Sequence, residues 1–296
     1  MPESITPHTR KVGLIGWPVG HSGSPRMHNA AFAAAGMDWV YLPLPVPVKP
    51  KDRIGEAVRG LGALGFRGAN VTIPHKRSVM SHLSGISAVA RAAGAVNTLT
   101  VRDNGDLAGD NTDVWGFYSV LEEAGWSAHS GSALVLGAGG SARAVLTGLL
   151  EAGCRDVRVH NRTRTRAEAL VRDFRALYPA ASMRVIGSER EVSAAGREVD
   201  LVVNSTSLGM APHVDTCPVA PDFPWRSGQW AYDLVYNPPA TLFLSRARQG
   251  GARCIGGMEM LVRQGARSFE IWTGWMPDLD LMRRELNLHL GFQTDG

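Results

Sequence analysis

Ser132-Ala133-Leu134-Val135-Leu136-Gly137-Ala138-Gly139-Gly140-Ser141-Ala142 is the stretch whose reading decides the fold. An apolar, strand-forming run passes straight into glycines, and Gly137, Gly139 and Ala142 fit the G-x-G-x-x-G/A pattern of a dinucleotide-binding turn. The first glycine permits the tight turn, and the second lets the backbone approach a pyrophosphate. The helix that should start here offers free N–H donors and a partial positive charge at its N-terminus. Gly137, Ala138, Gly139, Gly140, Ser141 and Ala142 are therefore the expected cofactor loop. A plain βα turn is the alternative, and the strand-then-helix context argues against it.

Downstream, the next strand is expected over Val157–Asn161, with later ones at Val199–Asn204 and Ala231–Val235. An NAD site places a carboxylate about 20 residues beyond the glycines, to bind the ribose 2′-hydroxyl. Here the chain reads Asn161-Arg162-Thr163-Arg164-Thr165-Arg166, with no carboxylate. Guanidinium groups bind a 2′-phosphate through charge-assisted hydrogen bonds, so NADP(H) is the expected cofactor, with Arg162 and Arg166 as its phosphate ligands. These belong to a cluster of seven arginines between Arg155 and Arg175. The rest of the cluster, Arg164 included, also reads as a solvated helix face countered by Asp156, Glu168 and Asp173.

Upstream the same alternation recurs. Lys11–Gly16 reads as a strand, followed by a loop and Ser24-Pro25, where Ser24 suits a helix cap and proline the first turn. A strand at Trp39–Pro45, a helix near Asp52–Leu64, a strand at Gly68–Ile73 and a helix after Pro74 imply parallel βαβ units. Ala95–Val101, Asn104-Gly105 and Leu107-Ala108 read as a β-hairpin, because Asn-Gly readily adopts positive φ. Helical periodicity runs from Val114 to Ala124 and again from Met258, where Leu261, Gly265, Ser268, Phe269 and Trp272 share a face. The fold class is thus α/β and two-lobed. Residues 1–112, completed by 257–296, should form a substrate and catalytic domain, and 113–256 a Rossmann-like NADP-binding domain. The last helices are expected to pack back on the first lobe.

Composition narrows the classes. A length of 296 residues suits two domains, and 44% hydrophobic with 20% charged residues is ordinary globular content. No apolar run reaches the roughly 18 residues of a membrane span. Met1–Arg10 lacks an apolar signal region and reads as a frayed tail, so a cytoplasmic location is expected. Cys154, Cys217 and Cys254 lack metal-ligand spacing, and no metal is expected. A net charge of +4, with only Phe174 interleaved among the clustered arginines, argues against nucleic acid as a partner.

Groups suited to proton transfer precede the cofactor motif: Asn70-Val71-Thr72-Ile73-Pro74-His75-Lys76, then Asn97 and Asp113. In His21-Ser22-Gly23-Ser24-Pro25, two hydroxyls and backbone N–H groups could hold a carboxylate. Taken singly, Ser24 reads more readily as a helix cap and Lys76 as a solvated lysine, and the Asn97 and Asp113 segments could be a strand end and a turn. Met260 and Gln264, four apart on a helix, share a face.

Together and in this order, these segments resemble the shikimate dehydrogenase family over nearly the whole chain. His21–Pro25 is similar to its carboxylate-binding loop, Asn70–Lys76 to its catalytic lysine motif, Gly94-Ala95-Val96-Asn97-Thr98 to its substrate asparagine, and Gly109-Asp110-Asn111-Thr112-Asp113 to its catalytic aspartate motif. Gly137–Arg143 and Asn161-Arg162-Thr163 resemble its NADP loop and 2′-phosphate clamp, and Asp233–Tyr236 and Met260–Gln264 its inter-lobe segments. The resemblance implies that Ser22, Ser24, Thr72, Asn97, Asp113, Tyr236 and Gln264 contact a small-molecule substrate, and that Lys76 and Asp113 carry the proton chemistry. Asn161, Thr163 and Gly257 join the cofactor set, with Met260 near the nicotinamide. Gly256-Gly257 and Asp113-Val114 also read as hinges between lobes. His75, Val114-Trp115 and Gly256 depart from the family's frequent residues. The activity implied is NADP-dependent reversible reduction of 3-dehydroshikimate to shikimate. A quinate/shikimate or aminoshikimate relative would share these residues, and a homodimer is left open. An NADP-sensing binding protein should lack Lys76 or Asp113, and both are present.

Overall fold

The computed structural model describes residues 5–49, 53–129 and 131–291. Strand β1 (Arg10–Gly16) leads into helix α1 (Ser24–Ala34), and β2 (Trp39–Pro45), α2 (Arg53–Ala63) and β3 (Phe66–Val71) repeat the alternation. A 3-10 turn (Ser78–His82), β4 (Gly85–Ile86), α3 (Ala88–Ala93), β5 (Thr98–Val101), β6 (Leu107–Asp110) and α4 (Thr112–Glu123) follow. The second series is β7 (Ser132–Leu136), α5 (Gly140–Glu151), β8 (Asp156–His160), α6 (Arg164–Leu177), β9 (Ser182–Ile186), α7 (Glu189–Glu198), β10 (Leu201–Asn204), β11 (Trp230–Asp233), α8 (Leu242–Gln249) and β12 (Arg253–Ile255). Helices α9 (Gly257–Thr273) and α10 (Leu279–Leu290) close the chain. Contacts divide it into two compact units, Met1–Trp115 with Val262–Gly296, and Gly116–Leu261.

The first unit's sheet runs β2-β1-β3-β5-β6-β4. β2, β1 and β3 are parallel, whereas β3–β5 and β5–β6 pair antiparallel. Register sets Asn70 opposite Thr98 and Thr98 opposite Asp110, so polar residues line up across three strands. Beneath them Ile15, Val58, Ala69, Val71, Val96 and Leu99 form a closed apolar core. The Asn104-Gly105 turn is present, with Gly105 at φ 85°.

The second unit's sheet is wholly parallel, in the order β12-β11-β10-β7-β8-β9. Helices cover both faces, which is why β7 and β10 are apolar without alternation. Val145, Leu149, Leu170 and Phe174 pack on one face, and Val192, Phe243 and Leu244 on the other.

Several expectations need correction. The segment after Pro74 forms turns, the 3-10 turn and the six-residue α3 in place of a long helix. Its backbone is held elsewhere: the His75 N–H donates to the Thr72 carbonyl, and the Lys76 carbonyl accepts from Val96 N–H. Strand β3 ends at Val71, and Asn97 precedes β5. Ser24 is not a cap: Gly23 occupies that position, and no side chain caps α1. The expected start of α2 at Asp52 lies outside the described residues, as do the first four residues of the expected tail. Within that tail Thr9 is buried, and its hydroxyl donates to Asp38 at 2.7 Å. Strands β4, β9 and β12 escaped the sequence, β4 and β12 because they have only two and three residues.

Candidate active site

In the first unit, Asn111 starts α4. Its amide donates to the Ala95 carbonyl at 2.9 Å, and its Oδ1 accepts the Val114 N–H at 3.3 Å. That places Asp113 in the first helical turn, where a carboxylate is favoured. Lys76 Nζ stands 2.5 Å from Asp113 Oδ2, and the two side chains are only 15% and 8% exposed. The other carboxylate oxygen, Oδ1, accepts from Asn97 Nδ2 at 2.9 Å. Asn97 is locked in turn, since its Oδ1 accepts the Thr112 N–H at 2.7 Å and its Nδ2 also lies 3.4 Å from Gln264 Oε1. Lys76, Asp113, Asn97 and Gln264 thus form one hydrogen-bonded group drawn from distant points of the chain.

His75, next to the lysine, is 5% exposed and its Nε2 meets the Val46 carbonyl at 2.7 Å. A ring anchored this way holds the lysine's loop against the end of β2. Ser22 and Ser24 flank Gly23, and Ser22 Oγ accepts the Ser24 N–H at 3.3 Å. Gly23 leaves room for α10: a Cβ there would stand 2.4 Å from Leu286. Thr72 is half-buried just beyond β3. Ser22, Ser24 and Thr72 share the first unit with the Lys76 group but are not part of its hydrogen-bonded chain.

The second unit holds the remaining expected residues. Gly137 adopts φ 118°, and a Cβ on it would lie 2.5 Å from Ser205 Oγ, so only glycine fits. Gly139 begins α5 without any side-chain cap, and a Cβ there would meet nothing within 4 Å. The loop Gly137–Ala142 therefore ends in a helix N-terminus whose donors no side chain fills. Asn161 donates to the Thr163 carbonyl at 2.9 Å, shaping the turn before α6. Arg162 and Arg166 are exposed and make no ion pair among the described residues. Arg164 is paired with Glu168 at 2.8 Å, and that hydrogen bond raises its pKa. Arg158 pairs with Asp156 and Glu198. The cluster is thus sorted into structural and free members.

Tyr236 lies in this unit, half-buried, with burial raising its phenol pKa. Met260 packs in the unit's apolar core, and α9 passes from this unit into the other between Leu261 and Val262. Gly257 is the first residue of α9. A Cβ there would stand 2.4 Å from the Leu234 carbonyl oxygen, so glycine serves a close backbone approach.

Sequence reading overlooked the buried polar residues behind these groups. Asn70, Thr98, Thr112 and Ser268 interlock at 2.8–3.2 Å. Ser268 sits one turn from Gln264, a spacing that could have signalled it. In the second unit Asp233 is wholly buried and accepts from Asn204, Val235 and Thr241. Burial raises its pKa to about 6 against those donors.

Family comparison agrees with this geometry. Residues 14–99 match the shikimate dehydrogenase substrate binding domain, 120–210 the shikimate / quinate 5-dehydrogenase model, and 257–286 the shikimate 5′-dehydrogenase C-terminal domain. The shikimate dehydrogenase (NADP(+)) of Moorella thermoacetica is 48% identical, covering 97% of this chain and 96% of the relative. The chain belongs to the shikimate dehydrogenase family. A shikimate dehydrogenase solved in complex with NADP+ superposes with a TM-score of 0.88 at 35% identity, covering 97% of this chain and 98% of that one. The Thermus thermophilus enzyme, solved with NADP(H) and shikimate, gives 0.83 at 35% identity over 95% and 99%. Among the described residues no helix is long and apolar enough to cross a membrane, and no cluster could hold a metal ion.

Proposed function

We infer that this protein is an NADP-dependent shikimate dehydrogenase, reducing 3-dehydroshikimate reversibly to shikimate. The observation that carries the reading is the Lys76–Asp113 pair at 2.5 Å with Asn97 on the second carboxylate oxygen. It forms a preorganised proton donor in a chain of this family.

The nucleotide residues fit their ligand. The uncapped α5 N-terminus and the open space at Gly139 suit a pyrophosphate. Arg162 and Arg166, free of ion pairs among the described residues, suit a 2′-phosphate, with Asn161 and Thr163 shaping their turn. When bound, the reduced nicotinamide supplies a hydride to the ketone carbon. The ketone oxygen gains negative charge as its π bond breaks. Lys76 Nζ delivers a proton there and is left as the amine, so the product is the secondary alcohol. Asp113 holds Lys76 through Oδ2, while Asn97 holds Asp113. In this reading Ser22 and Ser24 bind the substrate carboxylate, Thr72, Gln264 and Tyr236 make further substrate contacts, and remote binding positions the ring for transfer. The three cysteines are free, which suits a reducing cytoplasm.

Initial rates with NADP and NAD against shikimate and quinate test the reading. Turnover of shikimate with NADP is expected to exceed the other pairings. A protein that oxidises quinate and leaves shikimate untouched would overturn it. Lys76→Ala should lower kcat by about 10²- to 10⁴-fold, the usual worth of a positioned acid, and change KM much less. A variant keeping half of wild-type turnover, with chemistry rate-limiting, removes Lys76 from that role.

A further inference from the structure

A buried polar cluster in the first unit has no role in the reaction as derived so far. Tyr41 and Thr98 are each 1% exposed, Asn70 6% and Ser268 0%. The Tyr41 hydroxyl donates to Asn70 Oδ1 at 2.9 Å, and Asn70 Nδ2 donates to the Asn97 carbonyl at 3.1 Å. The same nitrogen lies 2.8 Å from Ser268 Oγ. A carbonyl only accepts, so Asn97 on one side and the Tyr41 hydroxyl on the other select a single orientation of the Asn70 amide.

The Tyr41 ring is itself clamped. His28 stacks on it with centroids 4.4 Å apart and planes 4° from parallel, and Trp272 tilts against it at 6.2 Å. Among the described residues neither His28 nitrogen has a hydrogen-bond partner, so His28 packs as an aromatic plate, and the Tyr41 phenol is left to Asn70 and Ser24.

Asn97 relays this order to the chemistry. Its carbonyl accepts from Asn70 and from the Val71 N–H at 2.8 Å, and its amide reaches Asp113, which holds Lys76. We propose that the buried Tyr41–Asn70 pair is a positioning device for the Lys76–Asp113 pair, acting through Asn97. The inference rests on the functional reading above, in which Lys76 delivers the proton. Without the Tyr41 hydroxyl, Asn70 Oδ1 is left unsatisfied in the core and the amide turns or shifts to find a donor. Asn97 moves with it, and the proton donor loses alignment; the same change also takes a partner from Ser24, to which the Tyr41 phenol is hydrogen-bonded as well.

Tyr41→Phe keeps the ring and its stacking and removes only the hydroxyl. The expected result is a fall in kcat for shikimate of about tenfold, in line with the sensitivity of transfer to small misplacements; any rise in KM reports the loss of the phenol's bond to Ser24 and is separated by Asn70→Ala, which leaves that bond in place. Rates are normalised to the NADP sites counted by calorimetry, so loss of folded protein registers as lost sites. Asn70→Ala should reproduce the fall with KM within about twofold, and kcat of Tyr41→Phe/Asn70→Ala should be no lower than that of Asn70→Ala alone. Unchanged normalised kcat in Tyr41→Phe overturns the proposal, as do losses that multiply in the double variant or an effect confined to KM. Failure of the functional reading is separate and shows first, as wild-type protein that binds NADP and leaves shikimate unoxidised.

Discussion

Acid should weaken this fold at His28. It is 0% exposed, with neither ring nitrogen hydrogen-bonded, and burial lowers its pKa from 6.5 to about 3. The unfolded chain therefore takes up a proton near pH 6.5, while the folded chain stays neutral down to about pH 3. The stability tied to neutral His28 is present above the unfolded pKa and is lost as pH falls toward the folded one. At about 1.4 kcal/mol per pKa unit, the full difference is about 5 kcal/mol, and roughly 2 kcal/mol of it is lost by pH 5. His28→Phe abolishes the titration and keeps an aromatic plate on Tyr41. Urea unfolding of both proteins at pH 7 and pH 5 is the assay, and the comparison uses only the change with pH, so the variant's absolute stability does not matter. Wild type should lose about 2 kcal/mol more than His28→Phe over that interval. Equal losses would refute the argument, showing that His28 reaches solvent or a hydrogen-bond partner in solution.

Replacing Arg162 with a neutral residue should weaken NADP roughly ten- to hundredfold and leave NAD nearly unchanged, as calorimetric titration of both cofactors would show; equal weakening would assign Arg162 to the fold or the pyrophosphate. Ser24→Ala should raise the KM for shikimate and lower the melting temperature only modestly, because Ser24 does not cap α1 and loses one hydrogen bond, to the Tyr41 phenol; a drop of many degrees with KM unmoved would contradict this. Gly257→Val should destabilise the protein by about 1 to 3 kcal/mol or more, the cost of forcing a side chain into backbone at Leu234 and Val235. A hinge glycine would instead leave the melting temperature intact and slow turnover.

The local parts were legible in the sequence because short-range physics sets them. The run Ser132–Ala142 specifies a strand, a turn whose positive φ calls for glycine at Gly137 and a helix start, all readable from the local pattern, although Ser205 from far along the chain also crowds out a side chain at Gly137. The Asn104-Gly105 hairpin and the parallel order of apolar strands follow from the same local rules. Residue types also told which groups could move a proton or bind a phosphate. Tertiary structure decided which of them meet and which are free. Arg162 and Arg164 are alike as letters, yet only Arg164 finds a carboxylate one helical turn away. Gly257 has the look of a flexible joint until the Leu234 carbonyl is seen beside it. Asn70, Thr98 and Ser268 come from β3, β5 and α9, and only register and packing bring their polar atoms within 3.2 Å. Hydrogen bonds between residues 28 to 198 positions apart leave no periodicity to read. They arise where buried polar groups, excluded from water, have to satisfy one another.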